Sequence, residues 1–539
     1  MNDEVNDDTP GRIDRRTFFR RSLSAGAIAV ALKTGAGTTT AWAGQAPAII
    51  PAASSRVAIP QGVASGDVTA GRAVIWSRAD RAARMFVEYS TTERFDRPLR
   101  VPGPAALETT DFTGRVVLDG LPPGQRIFYR VLFQDLADIR QWSLPLQGSL
   151  ITPAAAGATR NVTLAWSADT VGQGWGINPE WGGLRLYETM RAAQPDVFIH
   201  CGDTIYADQP LVAEVKLDDG SIWKNIVTEA KSKAAETLDE FRGNYQYNLL
   251  DDHMRRFNAE VSQVVMWDDH EVRDNWYWER DLSRDDRYTV KSAALLAARA
   301  RRAFLEYQPI TPDASDPERI HRVVPYGPLV DIFALDLRSY RGANSENLQT
   351  VLDKKSALFG ASQLATLKAR LAASRATWKV IASDLPIGVV VRDGPTFYEA
   401  VANGEPGAPL GRELEIANLL RFIRDQKIRN VVWVTADVHY CAAHHYDPSR
   451  AVFTEFDPFW EFVAGPLNAG TFAPNAMDKT FGPEVKFTGT SASTKPNRPP
   501  SDSLQFFGTM TIDARTRAIT VALRNLAGKV LYSVELPPR

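Results

Sequence analysis

A chain of 539 residues, 44% hydrophobic and 23% charged, can bury a large core with a smaller unit beside it, which excludes a globally disordered polypeptide. Its 62 Lys and Arg against 64 Asp and Glu leave a formal net charge of -2, so no whole-molecule field draws it to nucleic acid or acidic membranes, and stable nucleic-acid binding is not expected. Two cysteines, Cys201 and Cys441, exclude a disulfide framework and a thiolate zinc site, and with only seven histidines, those inside acidic clusters, His270 and His439, carry weight.

At the N-terminus, Arg15-Arg16-Thr17-Phe18-Phe19 precedes a weakly apolar run over 25–32 and the small-residue site Ala41-Trp42-Ala43. Paired arginines, a modest hydrophobic region and an Ala-x-Ala stop resemble a twin-arginine signal peptide. The expectation is a signal over 1–43 cleaved after Ala43, an Ala/Pro/Ser linker over 44–57, recognition by the twin-arginine translocation machinery, and a periplasmic or extracellular destination. The apolar run is too short to cross a bilayer core of about 30 Å, and no later stretch reaches about 18 apolar residues. No transmembrane segment is expected in the mature protein.

From 58 to 153, short β-type runs such as Ala73-Val74-Ile75-Trp76 and Ile127-Phe128-Tyr129-Arg130-Val131 alternate with turn residues, Asp119-Gly120 and Pro122-Pro123-Gly124 among them. This spacing predicts a small all-β sandwich of immunoglobulin or fibronectin type III class, with a structural or docking role.

From 158 to 539 the pattern becomes buried-looking strands that end in polar residues. Val162-Thr163-Leu164-Ala165-Trp166 runs into Asp169, Val197-Phe198-Ile199-His200 into Asp203, and Val264-Val265-Met266-Trp267 into Asp268-Asp269-His270-Glu271. Three later strands run into Asp336, into Ser383-Asp384, and into Asp437 and His439. Helical patterns over 184–193, 291–307, 362–373 and 412–426 lie between them. Alternating strands and helices predict a layered α/β fold whose ligands bind beyond the carboxyl ends of the strands.

One strand-end acid is well explained as a helix cap or turn former. Six in register are not, because carboxylates gathered at one rim repel each other and resist desolvation unless cations join them. Two metal ions at about 3.5–4 Å need one bridging carboxylate and further O/N ligands on each side. Gly202-Asp203-Thr204-Ile205-Tyr206 offers Asp203 as the bridge, Gly202 for the tight turn, and Tyr206 within reach as a phenolate ligand favouring a hard cation.

These motifs resemble a known family. Ser167-Ala168-Asp169-Thr170, Gly202-Asp203-Thr204-Ile205-Tyr206-Ala207-Asp208, Trp267-Asp268-Asp269-His270-Glu271, Leu335-Asp336-Leu337-Arg338-Ser339-Tyr340-Arg341 and Thr435-Ala436-Asp437-Val438-His439 are similar, in order and spacing, to the PhoD-like alkaline phosphatases of the calcineurin-like metallophosphoesterases. The resemblance implies a calcineurin-like layered α/β sandwich over 158–539. It implies a bimetal site, iron(III) with calcium, in which the first metal takes Asp169, Asp203, Tyr206 and His439. The second takes Asp203, Asp269 and Asp437, with Asp384 or Ser383 as an extra candidate. His270 would stand at the leaving-group oxygen, and a metal-bridging hydroxide would attack the phosphorus in line. Well-known PhoD-like enzymes carry a cysteine where this chain has Asp169, and replacing a thiolate by a carboxylate hardens the site and leaves magnesium, manganese or zinc open as alternatives.

Arg338, Arg341 and Arg273 are candidate phosphate grips through their forked donors, with ion pairs to neighbouring acids as the alternative for each. Small phosphate esters, mono- or diester, are the implied substrates, and phospholipid head groups belong to the diester alternative. A metal-stabilised surface binding protein is the non-enzymatic alternative, but structural calcium sites draw ligands from one contiguous loop. Here the acids come from separate strand ends.

Overall fold

The computed structural model describes residues 56–539; the expected signal and almost all of the linker lie outside the described residues. Two large sheets organise the chain. In the first, Val162–Ser167, Val197–Cys201 and Ser262–Met266 run parallel, with Leu164 opposite Val197 and Val197 opposite Ser262. In the second, Val330–Ala334, Trp378–Ala382, Val431–Thr435 and Phe459–Val463 run parallel in that order. These strands are covered on both faces, which is why they read as continuous apolar runs rather than alternating ones.

The sheets pack face to face. Trp166, Ile199 and Val264 of the first share one core with Val380, Val432 and Phe462 of the second, and the Trp166 and Phe462 rings lie 6.5 Å apart. Helices cover the outer faces. The helix Ala293–Tyr307, capped by the Ser292 side chain accepting from the Leu295 N–H, packs Leu296, Ala300 and Phe304 against Val265 and Trp267. The helices Gly360–Ala373 and Glu413–Asp425 lay Leu364, Leu367, Ile416 and Leu420 on the second sheet. The result is the expected layered α/β sandwich. Each of the four helical patterns read from the sequence recurs within about two residues of its expected ends.

The N-terminal region is all-β, as expected, with seven strands between Val63 and Ile151. Four of them, Leu99–Ala106, Ala83–Ser90, Arg126–Asp135 and Leu146–Ile151, form their own antiparallel sheet. The other three, Val63–Thr69, Arg72–Arg78 and Thr113–Asp119, extend the first large sheet through Gly66 beside Gln263. A side chain at Gly66 would meet the Pro309 carbonyl oxygen at 2.3 Å, so the junction requires a glycine. Asp67 adds a buried ion pair to Arg322 at 2.8 Å. The boundary expected near 153 is therefore bridged by backbone pairing. Three more strands that sequence reading did not place, Phe506–Ile512, Ile519–Asn525 and Val530–Leu536, complete the opposite end of the same sheet.

Candidate metal centre

Strand ends in parallel sheets leave the chain in tight turns, and here the turns are strained at the residues that carry the chemistry. Asp169, Asp203, Asp437 and His439 all have positive φ, between 52° and 67°. Such backbone is costly for residues other than glycine, and it persists where surrounding contacts over-determine it. Each of the four thereby turns its side chain into the space where the two sheets' carboxyl ends meet.

Three overlapping groups of donor atoms form there. Asp169, Asp203 and His439 make one, Asp203, Asp269 and His270 a second, and Asp268, Asp269 and Asp437 a third. Asp203 and Asp269 each belong to two of them. Tyr206 joins the first, its hydroxyl 2.9 Å from His439 Nε2. The structure thus gathers all six expected metal ligands, together with His270, into one centre.

The donor set fits cations. Neither carboxylate oxygen of fully buried Asp169 has a hydrogen-bond partner, and Asp269 Oδ1 and Asp268 Oδ2 are also unpartnered. Burial, together with the charge of Asp268, pushes the Asp169 carboxyl well above its ordinary pKa, and burial does the same to Asp203 and Asp437. Buried orphan carboxylates facing one another are costly unless positive charge joins them. His439 is held neutral: burial lowers its pKa to about 4, and its Nδ1 donates to the Gly470 carbonyl at 2.6 Å, which turns Nε2 toward the acids.

The floor beneath is a lattice of charge. Glu271 accepts from the backbone N–H groups of Asp203, Thr204 and Asp268, tying two of the turns together. His270 Nδ1 lies 2.7 Å from Asp208 Oδ1, its backbone N–H donates to Asp203, and its ring stacks on Tyr206 with centroids 4.2 Å apart. Burial disfavours its imidazolium, but the charges of Asp269, Asp208 and Asp203 outweigh burial and hold its pKa well above the usual value. A side chain at Gly172 would meet three Tyr206 ring atoms at 2.5–2.7 Å, so the glycine-rich loop presses directly on that ring.

The arginines take the ion-pair alternative. Arg338 is fully buried, its Nε 2.5 Å from Asp268 Oδ1 and 3.4 Å from Asp384, with Glu399 at Nη1. Arg341 is buried against Glu399 and Asn344. Arg273 points to Asp285 at 3.5 Å. Arg338 also brings Nη2 to 3.8 Å from Asp269 and 3.7 Å from Asp437, so of the two readings given for these arginines the geometry shows the ion pair: Arg338 and Arg341 are engaged by buried carboxylates, and Arg273 is buried beside Asp285. Asp336 is a loop organiser, accepting from Trp267 Nε1, Ser339 and the Arg338 N–H. Asp384 lies against Arg338 and stands outside the three donor groups.

A two-sheet α/β sandwich with this acid and histidine centre defines a metallophosphatase, a hydrolase of phosphoric esters. The chain belongs to the PhoD-like phosphatase family: residues 164–523 match the PhoD-like phosphatase domain, and residues 44–152 match the PhoD-like phosphatase N-terminal domain. It is 25% identical over 448 residues to alkaline phosphatase D of Bacillus subtilis (strain 168), covering 78% of this chain and 70% of that protein. Its fold is similar to a solved structure of PhoD, with a TM-score of 0.65, 21% identity and 90% of each chain covered. A purple acid phosphatase, PPD1 from yellow lupin (Lupinus luteus) seeds, aligns at a TM-score of 0.53 and 11% identity, over 88% of this chain and 73% of that one. Among the described residues no helix is long and apolar enough to cross a membrane.

Proposed function

We propose that this protein hydrolyses phosphate monoesters and diesters with two metal ions, iron(III) and calcium by family resemblance, held by Asp169, Asp203, Tyr206 and His439 on one side and by Asp203, Asp269 and Asp437 on the other. The observation that carries this reading is that shared carboxylates link the donor groups, Asp203 joining the first to the second and Asp269 the second to the third, as adjacent cations with a bridging carboxylate require. When bound, the cations supply a water acidified toward neutral pH and positive charge against the phosphoryl oxygens.

The chain's own residues do the rest. Asp208 accepts from His270 Nδ1 and so fixes the ring, leaving Nε2 toward the cavity, where it protonates the leaving-group oxygen as the ester bond breaks in line. Arg338 offsets the charge of Asp268, Asp384 and Glu399, so the floor carries less uncompensated repulsion than its acid count implies. Export through the twin-arginine pathway, with action in the periplasm or outside the cell, is part of the same reading and rests on the N-terminal sequence.

Asp203→Ala tests it. The variant should fold, lose bound metal, and lose turnover of both p-nitrophenyl phosphate and bis-p-nitrophenyl phosphate. Full turnover of either ester by that variant would remove the reading.

A further inference from the structure

A cavity of about 440 Å³ opens above the metal-centre residues. Five of its lining residues are acids, Asp203, Asp269, Asp274, Glu399 and Asp437, and one side chain brings a permanent positive charge, Arg392. Arg338, Arg341 and Arg273 are buried and do not line this cavity, and Arg392 does.

Its setting is built rather than incidental. Arg392 lies on the short strand Arg392–Asp393, opposite Tyr398 of Phe397–Tyr398. Its guanidinium sits over the Tyr398 ring, 4.8 Å from the centroid, and Nη1 donates to the Pro395 carbonyl at 3.3 Å. No ion pair among the described residues involves it, so most of its forked donors have no protein partner. The next residue fastens the hairpin: Asp393 accepts from Arg280 Nη1 and from Asn344 Nδ2, both at 2.8 Å. Arg280 Nη1 also donates to the carbonyl of Asn275, whose own N–H caps Asp269. The hairpin is thus tied to the loop that carries a metal ligand.

An exposed guanidinium without an ion pair, held over an aromatic ring at the mouth of an acid-floored cavity, is placed to receive an anion. We propose that Arg392 is a specificity-determining residue that binds an anionic oxygen group of the ester substrate at the cavity mouth. That group is either the phosphoryl oxygens themselves or an acid on the leaving group. The inference rests on the phosphoesterase reading above and adds to it where the substrate's charge is recognised.

Arg392→Ala and Arg392→Lys, in the metal-loaded full chain, test it by KM for phenyl phosphate and 4-carboxyphenyl phosphate and by inhibition by inorganic phosphate. Losing a charge-assisted bond should raise KM by about tenfold or more in the alanine variant, with the lysine variant recovering part of the loss. A rise for both esters and for the phosphate inhibition constant assigns the phosphoryl oxygens, and a rise for 4-carboxyphenyl phosphate alone assigns the leaving-group acid. Values for all three ligands within about twofold of the parent overturn the proposal, because a charge-assisted bond is worth more than that. A parent protein that turns over neither these monoesters nor bis-p-nitrophenyl phosphate removes the phosphoesterase reading instead. Arg392 is then judged by calorimetric binding of inorganic phosphate, and equal affinity in parent and Arg392→Ala overturns its role.

Discussion

His270 and Asp208 are joined by a 2.7 Å contact between Nδ1 and a carboxylate oxygen, and both side chains are buried beside the acid cluster. The carboxylate fixes which nitrogen faces the cavity and which is engaged behind it. Asp208→Asn keeps the size and removes the charge, so the imidazole loses its orientation and the charge that favours its protonated form. The variant should retain metal, by elemental analysis, yet lose about 10- to 100-fold in kcat, with the alkaline limb of its pH-rate profile moved to lower pH. Parallel loss of metal and turnover would instead make Asp208 a scaffold for the metal loops.

Chelation should destabilise the protein. Without cations, Asp169 keeps two unpartnered buried oxygens against Asp203, Asp268 and Asp269. A melting temperature several degrees lower after demetallation, restored on adding metal back, is the expected result, since bound ligand stabilises by mass action. An unchanged melting temperature would mean that the acids are comfortable without cations.

Arg338 is predicted to be indispensable to the fold. Arg338→Met leaves Asp268, Asp384 and Glu399 buried without their cation. Breaking a buried pair on one side costs about 3–5 kcal/mol, so denaturant unfolding should shift by that order. A loss of phosphate affinity with stability intact would return Arg338 to the role of substrate grip.

Gly172→Ala should act on metal through Tyr206. The added methyl meets ring atoms at 2.5–2.7 Å, and the same ring stacks on His270 at 4.2 Å, so the phenol has little room to withdraw. Overpacking of this kind costs about 1–3 kcal/mol. Lowered melting temperature together with weaker metal retention is expected, and normal values for both would show that the loop yields.

Glu413 gives a pH-dependent stability away from the metal centre. Burial, with Asp478 nearby, raises its carboxyl to about 8 in the folded protein from an ordinary 4.5. Its folded pKa exceeds its unfolded one, so its contribution is fully present below about pH 4.5 and is lost as pH rises through about 8. Glu413→Gln, which keeps acceptance from Asn403 Nδ2 and supplies a donor at the unpartnered oxygen, should therefore melt higher than the parent at pH 9. At pH 5 the two should differ little.

The sequence by itself determined the alternation of strands and helices, the acids at the strand ends, and the family motifs between Ser167 and His439. These are local: a buried parallel strand must be a continuous apolar run, and the turn that leaves it is written in adjacent residues such as Gly202-Asp203 and Asp268-Asp269-His270. The tertiary structure decided what lies far apart in the chain and meets in space. Arg338 reads like a phosphate grip until Asp268, Asp384 and Glu399 are found around it, and Arg392 reads like any surface arginine until its hairpin is seen at the cavity mouth. The partners of His270 and His439, Asp208 and the Gly470 carbonyl, were equally hidden, as was the passage of the Val63–Thr69 strand into the large sheet. Sequence spacing states which side chains a turn presents. Which charges cancel depends on a distance of a few ångströms between segments the chain separates by tens of residues, and only packing sets that distance.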